Sequence, residues 1–153
     1  MMQLVPEESK PGPARVPVDP AVWQPSDLRQ AKSVTVLIVD DDPAVTETFA
    51  RMLVLEGYNV RAAISAEAGL LEAEAAHPDA ILLDLRMPTV DGLAFLRRLR
   101  AREDTHKTPV AIVTGDYFLD DTISNELHGL GAEVFFKPLW IEDLVRITQA
   151  LVR

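Results

Sequence analysis

Cysteine is absent from the 153-residue chain, which excludes disulfide bridges and thiol chemistry and suits a reducing compartment. No apolar run approaches the roughly 20 residues that a membrane-spanning helix needs. The first residues, MMQLVPEESKPGP, contain neither the basic nor the apolar region of a secretory signal. These absences predict a cytoplasmic protein that does not insert into a membrane.

Positive charge is scarce: 15 lysines and arginines face 24 aspartates and glutamates, which gives a net charge of −9. Residues 1–33 carry four acids and four bases, so the whole negative excess belongs to residues 34–153. Non-specific nucleic-acid binding relies on clustered lysine and arginine. We therefore expect no direct contact with nucleic acid.

Proline is concentrated at the N-terminus, where six of the eleven prolines lie between Pro6 and Pro25 without any apolar periodicity. Such a segment buries too little surface to offset the entropy lost on ordering. Residues 1–32 are therefore predicted to be a flexible tail, and residues 33–153 a single folded domain. Trp23 is the tail residue that could dock onto something, although a loosely held aromatic is the simpler interpretation.

The folded part alternates five times between a strand pattern and a helix pattern. Its first strand, VTVLIV, is a continuous β-branched run, which is typical of a strand covered on both faces. The predicted strands are Val34–Val39, Asn59–Ala63, Ala80–Leu85, Pro109–Thr114 and Glu133–Phe136. This alternation predicts an α/β fold of the (βα)5 type, a doubly wound five-stranded parallel sheet with helices on both faces.

Ligand chemistry in such sheets gathers beyond the carboxyl ends of the strands. Polar residues stand at four of these ends: Asp40–Asp42, Asp84, Thr114 and Lys137. If the first and third strands are neighbours, several carboxylates converge, and a hard divalent cation such as Mg²⁺ is the natural occupant. Carboxylate, metal, lysine and hydroxyl form a set suited to phosphoryl chemistry, in which an aspartate can be the nucleophile. Neither a Walker-type glycine loop nor GxGxxG occurs, so a nucleotide-binding enzyme is poorly supported.

Four motifs in order, VLIVDDDP, ILLDLRMPTVDG, VAIVTG and FFKP, resemble the receiver domain of two-component response regulators over about residues 34–153. The resemblance implies a flavodoxin-like sheet with strand order 2-1-3-4-5. It makes Asp84 the phosphoacceptor and Asp40 and Asp41 the acidic pair that positions Mg²⁺. Asp84 itself and the backbone carbonyl of Arg86 would be further ligands of the metal.

The resemblance also assigns two residues to the phosphoryl group. Thr114 would supply the switch hydroxyl and Lys137 the lysine that contacts the phosphoryl oxygens, with a cis bond to Pro138 as is typical of the family. The phosphodonor would be a sensor histidine kinase or a histidine phosphotransfer protein. A downstream protein would bind the face formed by the fourth helix, the fifth strand and the last helix, and a homodimer is left open. Because the last predicted helix ends close to Arg153, we expect the output to be a protein contact.

Two departures from the family spacing affect the signalling side. The stretch before Lys137 is one residue short, so that Val134, or Phe135, stands where a switch aromatic is usual. The loop after Thr114 is about two residues longer, and its Tyr117 and Phe118 either contact a partner or cover the sheet edge.

Arg86 lies two positions after Asp84, and Asp116 lies two positions after Thr114. In receiver domains these positions flank the phosphoryl group and modulate its lifetime. Opposite charges there predict an ion pair across the pocket mouth that hinders the attacking water. The alternative is a pair of solvated side chains.

Two other functions remain open. One is a receiver-like binding module that never carries phosphate. The other is a metal-dependent phosphohydrolase with an aspartyl intermediate, for which Asp40 and Asp42 have the right spacing. For Asp42 we expect a structural role as a helix N-cap. The protein is not expected to be an enzyme beyond self-catalysed phosphotransfer and slow autodephosphorylation.

Overall fold

A computed structural model of the chain describes residues 34–153. The predicted tail, residues 1–32, and Trp23 lie outside these residues. Strands and helices alternate throughout the described part, as predicted from the sequence. They are β1 Thr35–Val39, α1 Pro43–Leu55, β2 Asn59–Ala63, α2 Ala66–Ala76, β3 Ala80–Leu83, α3 Gly92–Ala101, β4 Val110–Thr114, α4 Asp121–Gly129, β5 Glu133–Phe136 and α5 Ile141–Leu151. None of these helices is long and apolar enough to cross a membrane.

The five strands of the described residues form one parallel sheet in the order β2-β1-β3-β4-β5, which confirms the expected topology. Val39 at the end of β1 pairs with Leu83 at the end of β3. Thr114 at the end of β4 pairs with Phe136 at the end of β5. The carboxyl ends of the strands therefore lie along one edge of the sheet, and the residues that follow the strands lie at that same edge.

Each face of the sheet is covered by its own apolar core. Leu37 and Val39 of β1 point to one face, where they pack with residues of α2, α3 and α4. Val36 and Ile38 point to the other face, where they pack with residues of α1 and α5. Because both faces are covered, every position of β1 from Val36 to Val39 must be apolar, which accounts for the unbroken run in the sequence.

Short polar side chains start four of the helices. Asp42, Ser65, Asp91 and Asp120 each accept a hydrogen bond from a backbone N–H in the first turn of the helix that follows. Pro43 occupies the first position of α1, where its missing N–H costs nothing. Asp42 is thus the N-cap that its sequence position predicts. The third strand differs slightly from the prediction, because it ends at Leu83 rather than at Leu85.

Candidate functional site

The polar residues that follow β1, β3 and β5 are held at the sheet edge by backbone hydrogen bonds. The amide of Asp84 donates to the carbonyl of Val39 at 2.8 Å, and the amide of Lys137 donates to the carbonyl of Thr114 at 2.8 Å. The Lys137–Pro138 bond is cis, as expected from the resemblance. Side chains that are 97 residues apart in sequence, such as Asp40 and Lys137, are thereby brought into contact.

Three carboxylates form the centre of the site. Asp40, Asp41 and Asp84 each offer an oxygen, and these oxygens lie within 4.8 Å of one another. Asp40 and Asp84 are buried, with 3% and 7% of their surfaces exposed, whereas Asp41 is open to solvent. The cluster therefore has a closed floor and one open side, through which a small ion or a substrate group can enter.

Among residues 34–153, the side chain that brings an ammonium group to this cluster is Lys137. Nζ of Lys137 lies 2.6 Å from Oδ2 of Asp40 and 3.7 Å from Oδ1 of Asp84. The other oxygen of Asp40 accepts the amide hydrogen of Asp42 at 2.9 Å. Asp40 is thus held by two partners, while the carboxylate of Asp84 is left with the longer of the two lysine contacts. We call Asp40, Asp41, Asp84 and Lys137 the acceptor pocket, after the phosphoacceptor role that the resemblance implies for Asp84.

The pKa of Asp84 is raised to about 6, chiefly because the carboxyl is buried and also because the negative charge of Asp40 lies nearby. Lys137 and the backbone N–H of Arg86, which donates to the Asp84 carboxylate, oppose this rise, and the charge of Asp41 adds a smaller increase. The pocket therefore holds more negative charge than its lysine neutralises. Its oxygen donors fit Mg²⁺, which takes one or two protein carboxylates and keeps several waters. Arg86 makes its contacts here through its side chain and its amide. That its backbone carbonyl binds Mg²⁺ therefore stays a prediction.

Thr114 lies at the end of β4, beside the pocket, and is completely buried. Its hydroxyl oxygen accepts the amide hydrogen of Asp116 at 3.1 Å. Asp116 in turn binds the guanidinium of Arg86, with Nη2 at 2.6 Å and Nε at 2.8 Å from Oδ2. The predicted ion pair between these two side chains is therefore present. The Arg86 hydrogen bond lowers the pKa of Asp116, and the amide of Phe118 lowers it further.

The residues of β5 distribute over both faces of the sheet. Val134 packs against the core on the side of α4, whereas Phe135 packs against the core on the side of α1 and α5. Phe136 stacks on Tyr117, with ring centroids 5.5 Å apart. Tyr117 thus covers the end of β5, while the neighbouring Phe118 is 92% exposed.

Gly92 is a residue of the site whose role sequence reasoning missed. A Cβ at this position would lie 2.4 Å from the carbonyl oxygen of Asp84 and 2.8 Å from Cα of Leu85. The start of α3 therefore packs directly on the backbone that carries Asp84, and only glycine fits there. The sequence signal was the pair Asp91-Gly92, which indicated a helix start but not what the helix start touches.

Fold and site together define a class: a doubly wound α/β domain with an acidic, lysine-containing site where its central strands end. The chain belongs to the response regulator receiver domain family of two-component systems, whose model matches residues 36–149. Proteins of this family are signalling switches rather than classical enzymes. This assignment confirms the resemblance inferred from the four motifs.

Individual relatives agree with the family. The response regulator MprA of Mycobacterium tuberculosis is 37% identical over 124 residues, which are 79% of this chain and 51% of the relative. A Synechocystis protein named DNA-binding dual master transcriptional regulator RpaA is 35% identical over 77% of this chain and 48% of its own length. The chain thus spans about half the length of these curated relatives. Since one of them is named for DNA binding, the expectation of no nucleic-acid contact gains no support from them.

Solved structures give the same fold. The chemotaxis protein CheY4 of Vibrio cholerae superposes with a TM-score of 0.71 at 27% identity, over 77% of this chain and 98% of its own. A putative response regulator from Chloroflexus aurantiacus superposes with a TM-score of 0.70 at 31% identity, over 78% of this chain and 97% of its own. Residues 34–153 are therefore comparable to a whole receiver domain.

Proposed function

We propose that the protein is a phosphorylation-controlled switch in which Asp84 accepts a phosphoryl group from a phosphohistidine of a partner kinase or phosphotransfer protein. The observation that carries the proposal is the convergence of three carboxylates and one lysine at the open sheet edge. Such a set aligns a phosphoryl group and offsets its charge, which are the main requirements of phosphoryl transfer.

The chemical step needs a nucleophile and a charge balance. A carboxylate oxygen of Asp84 forms a bond to phosphorus while the P–N bond of the phosphohistidine breaks, and its electron pair returns to the imidazole. Mg²⁺ held by Asp40, Asp41, Asp84 and the Arg86 carbonyl would neutralise the negative charge that gathers there. Lys137 and the Thr114 hydroxyl hold the phosphoryl oxygens after transfer.

An apolar cleft beside the acceptor pocket suits the phosphodonor. It has a volume of about 310 Å³ and lies between the first turns of α1 and the segment that follows β5. Lys137 lines both the cleft and the pocket, so a helix of the phosphodonor placed in the cleft would lie next to the pocket that contains Asp84. The other lining residues are Ala44, Val45, Thr48, Phe49, Pro138 and Leu139.

The ion pair of Arg86 with Asp116 is proposed to modulate the lifetime of the phosphoryl group. It links the residues two positions beyond Asp84 and Thr114, at the mouth of the pocket. Water must pass this mouth to reach the phosphorus from outside, so a paired arginine and aspartate narrow its path. Both side chains are partly solvated, and the effect should therefore be kinetic rather than structural.

The proposal is tested by incubating the full chain with acetyl phosphate and Mg²⁺ and locating the label by intact mass and peptide mapping. The expected result is one phosphoryl group on Asp84 that does not form when EDTA is present or when Asp84 is replaced in Asp84→Asn. Absence of label would favour the binding module. Continuous release of phosphate that depends on Asp40 and Asp42 would favour the hydrolase. Against the hydrolase stands the position of Asp42, whose carboxylate accepts the Ala44 amide at 2.9 Å as an N-cap.

The signalling surface is proposed to be α4, β5 and α5. This face adjoins Thr114 and Lys137, whose rearrangement around a phosphoryl group would bias a two-state surface. Analytical ultracentrifugation of the phosphorylated and the unphosphorylated protein would show whether the chain forms a homodimer. The same two preparations can be compared for binding of a partner and so for its pathway.

A further inference from the structure

Tyr117 connects the loop that follows β4 with the end of β5. Its phenolic hydroxyl donates a hydrogen bond to the backbone carbonyl of Lys137, and its ring stacks on Phe136 with an interplanar angle of 21°. The loop, residues 115–120, is the β4–α4 loop. Two contacts from one side chain therefore fasten this loop to the segment that carries the lysine of the acceptor pocket.

The same loop is fastened to the other side of the pocket through Asp116. The amide of Asp116 donates to the hydroxyl of Thr114, and its carboxylate binds Arg86. Tyr117 is the next residue along the chain. A change in the direction of the Thr114 hydroxyl therefore acts on the backbone that carries Tyr117. A change in the position of Lys137 acts on the carbonyl to which the Tyr117 hydroxyl donates.

Tyr117 and Phe136 also form part of a surface cleft between α4 and β5. The cleft has a volume of about 460 Å³, and both rings are partly exposed, Tyr117 by 58% and Phe136 by 42%. Contacts at such exposed positions are weak, so they can be exchanged at small cost. The remaining lining residues are Leu119, Asp121, Ser124, His128, Glu133 and Val134.

We propose that Tyr117 is a positioning residue that couples the phosphorylation state of Asp84 to the shape of the cleft between α4 and β5. The proposal rests on Asp84 being the phosphoacceptor. When Lys137 and Thr114 turn to phosphoryl oxygens, the hydroxyl of Thr114 donates to the phosphoryl group and the Lys137 ammonium leaves Asp40. Both ends of the Tyr117 linkage shift, and the ring moves relative to Phe136.

Tyr117 is suited to this role by contacts that its neighbours do not make. Val134 lies on the same face but has no hydrogen-bonding side chain, and Phe135 packs on the opposite face. The side chain of Phe118, next to Tyr117, is almost fully exposed. Phe118→Ala is therefore a matched control that removes an aromatic ring from the same loop.

The first test follows the ring directly. The chain has two tyrosines, so 3-fluorotyrosine labelling gives two ¹⁹F resonances. Tyr58 immediately precedes β2, at the opposite edge of the sheet from β5, and serves as the internal reference. Beryllofluoride with Mg²⁺, a mimic of the phosphoryl group, should shift the Tyr117 resonance and leave the Tyr58 resonance in place. The shift should vanish in Asp84→Asn.

The second test uses the reciprocity of coupled equilibria: if phosphorylation changes the state of Tyr117, changing Tyr117 alters phosphorylation. Tyr117→Phe removes only the hydrogen bond to Lys137, and Tyr117→Ala removes the stack as well. Because this reciprocity holds for equilibrium binding, it is measured with beryllofluoride and Mg²⁺: we expect each variant to change the beryllofluoride concentration that half-saturates Asp84 by about 5-fold or more, with the larger change in Tyr117→Ala. Phe118→Ala should match the parent.

The outcomes separate the two proposals. If the parent takes no phosphoryl group on Asp84, the proposed function fails, and this inference fails with it. If Asp84 is labelled but the Tyr117 resonance stays in place and the Tyr117 variants match the parent, only the coupling role is overturned. A Phe118→Ala change as large as that of Tyr117→Ala would also overturn it, because the loop as a whole would then be responsible.

Discussion

The acceptor pocket and the β4–α4 loop adjoin at one edge of the sheet, but they are held in different ways. Asp40 and Asp84 are buried and are fixed by strand-end hydrogen bonds from their own backbone. The β4–α4 loop is fixed by side-chain contacts that are exposed to solvent, namely those of Asp116 and Tyr117. Rigid elements give precision to a reacting group, whereas weakly held segments supply the movement that a switch needs. The contrast suggests that substitutions in the pocket decide whether the chemistry occurs and that substitutions in the loop decide how long its effect lasts.

The sharpest test of this contrast exchanges one carboxylate for an amide in each region. Asp84→Asn should abolish stable phosphorylation, because an amide cannot form the acyl phosphate. The variant should fold at least as stably as the parent, since it removes one of three mutually repelling carboxylates. Phosphorylation by acetyl phosphate and thermal denaturation in the absence of Mg²⁺ measure the two effects. Asp116→Asn, the loop counterpart, should still be phosphorylated. Full labelling of Asp84→Asn would place the acceptor elsewhere.

The support beneath the pocket can be disturbed without changing any polar group. Gly92→Ala forces a Cβ against the backbone of Asp84 and should lower the free energy of unfolding by about 1–3 kcal/mol, the usual cost of overpacking. The rate of Asp84 phosphorylation should fall with it. Urea denaturation and labelling with acetyl phosphate are the measurements.

Gly129→Ala is the matched control for Gly92→Ala. Gly129 ends α4, and a Cβ added there meets no atom within 4 Å. Its substitution should leave both stability and phosphorylation close to those of the parent. If the two variants were equally stable, Gly92 would not be a constraint on the backbone that carries Asp84.

Two neighbouring aspartates allow the metal role to be separated from the structural one. Asp41→Asn should weaken Mg²⁺ binding by at least about tenfold, on the scale seen for groups around a metal, with little change in stability because Asp41 is exposed. Asp42→Ala should leave Mg²⁺ binding nearly unchanged but lower the stability. The carboxylate of Asp42 caps α1, and losing an N-cap costs about 0.5–2 kcal/mol. Calorimetric Mg²⁺ titration and urea denaturation compare the two. Equal Mg²⁺ affinities for both variants would contradict the assigned ligands.

The sequence predicted the sheet and the acceptor pocket because both follow from local pattern. Buried strands are apolar throughout, so polar residues after Val39 and Leu83 stand out, and the parallel sheet brings them together. Contacts that depend on distant backbone were beyond such reasoning. Gly92 is needed because the start of α3 presses on Asp84, and Tyr117 reaches Lys137 from 20 residues away. Neither contact leaves a periodic signal in the chain.

The smallest expected effect concerns the ion pair that joins pocket and loop. Arg86→Ala and Asp116→Ala should each shorten the lifetime of the aspartyl phosphate by a few-fold, because either change opens the same path for water. The double variant should match the single ones, since both remove one interaction. Lifetimes are measured by the decay of labelled protein after removal of acetyl phosphate, with Arg51→Ala, which breaks an exposed pair with Glu47 on α1, as the control. Lifetimes unchanged from the parent would mean that the pair is only a solvated surface contact. Effects that add in the double variant would mean that Arg86 and Asp116 act separately, and the loop would then influence the pocket without this link.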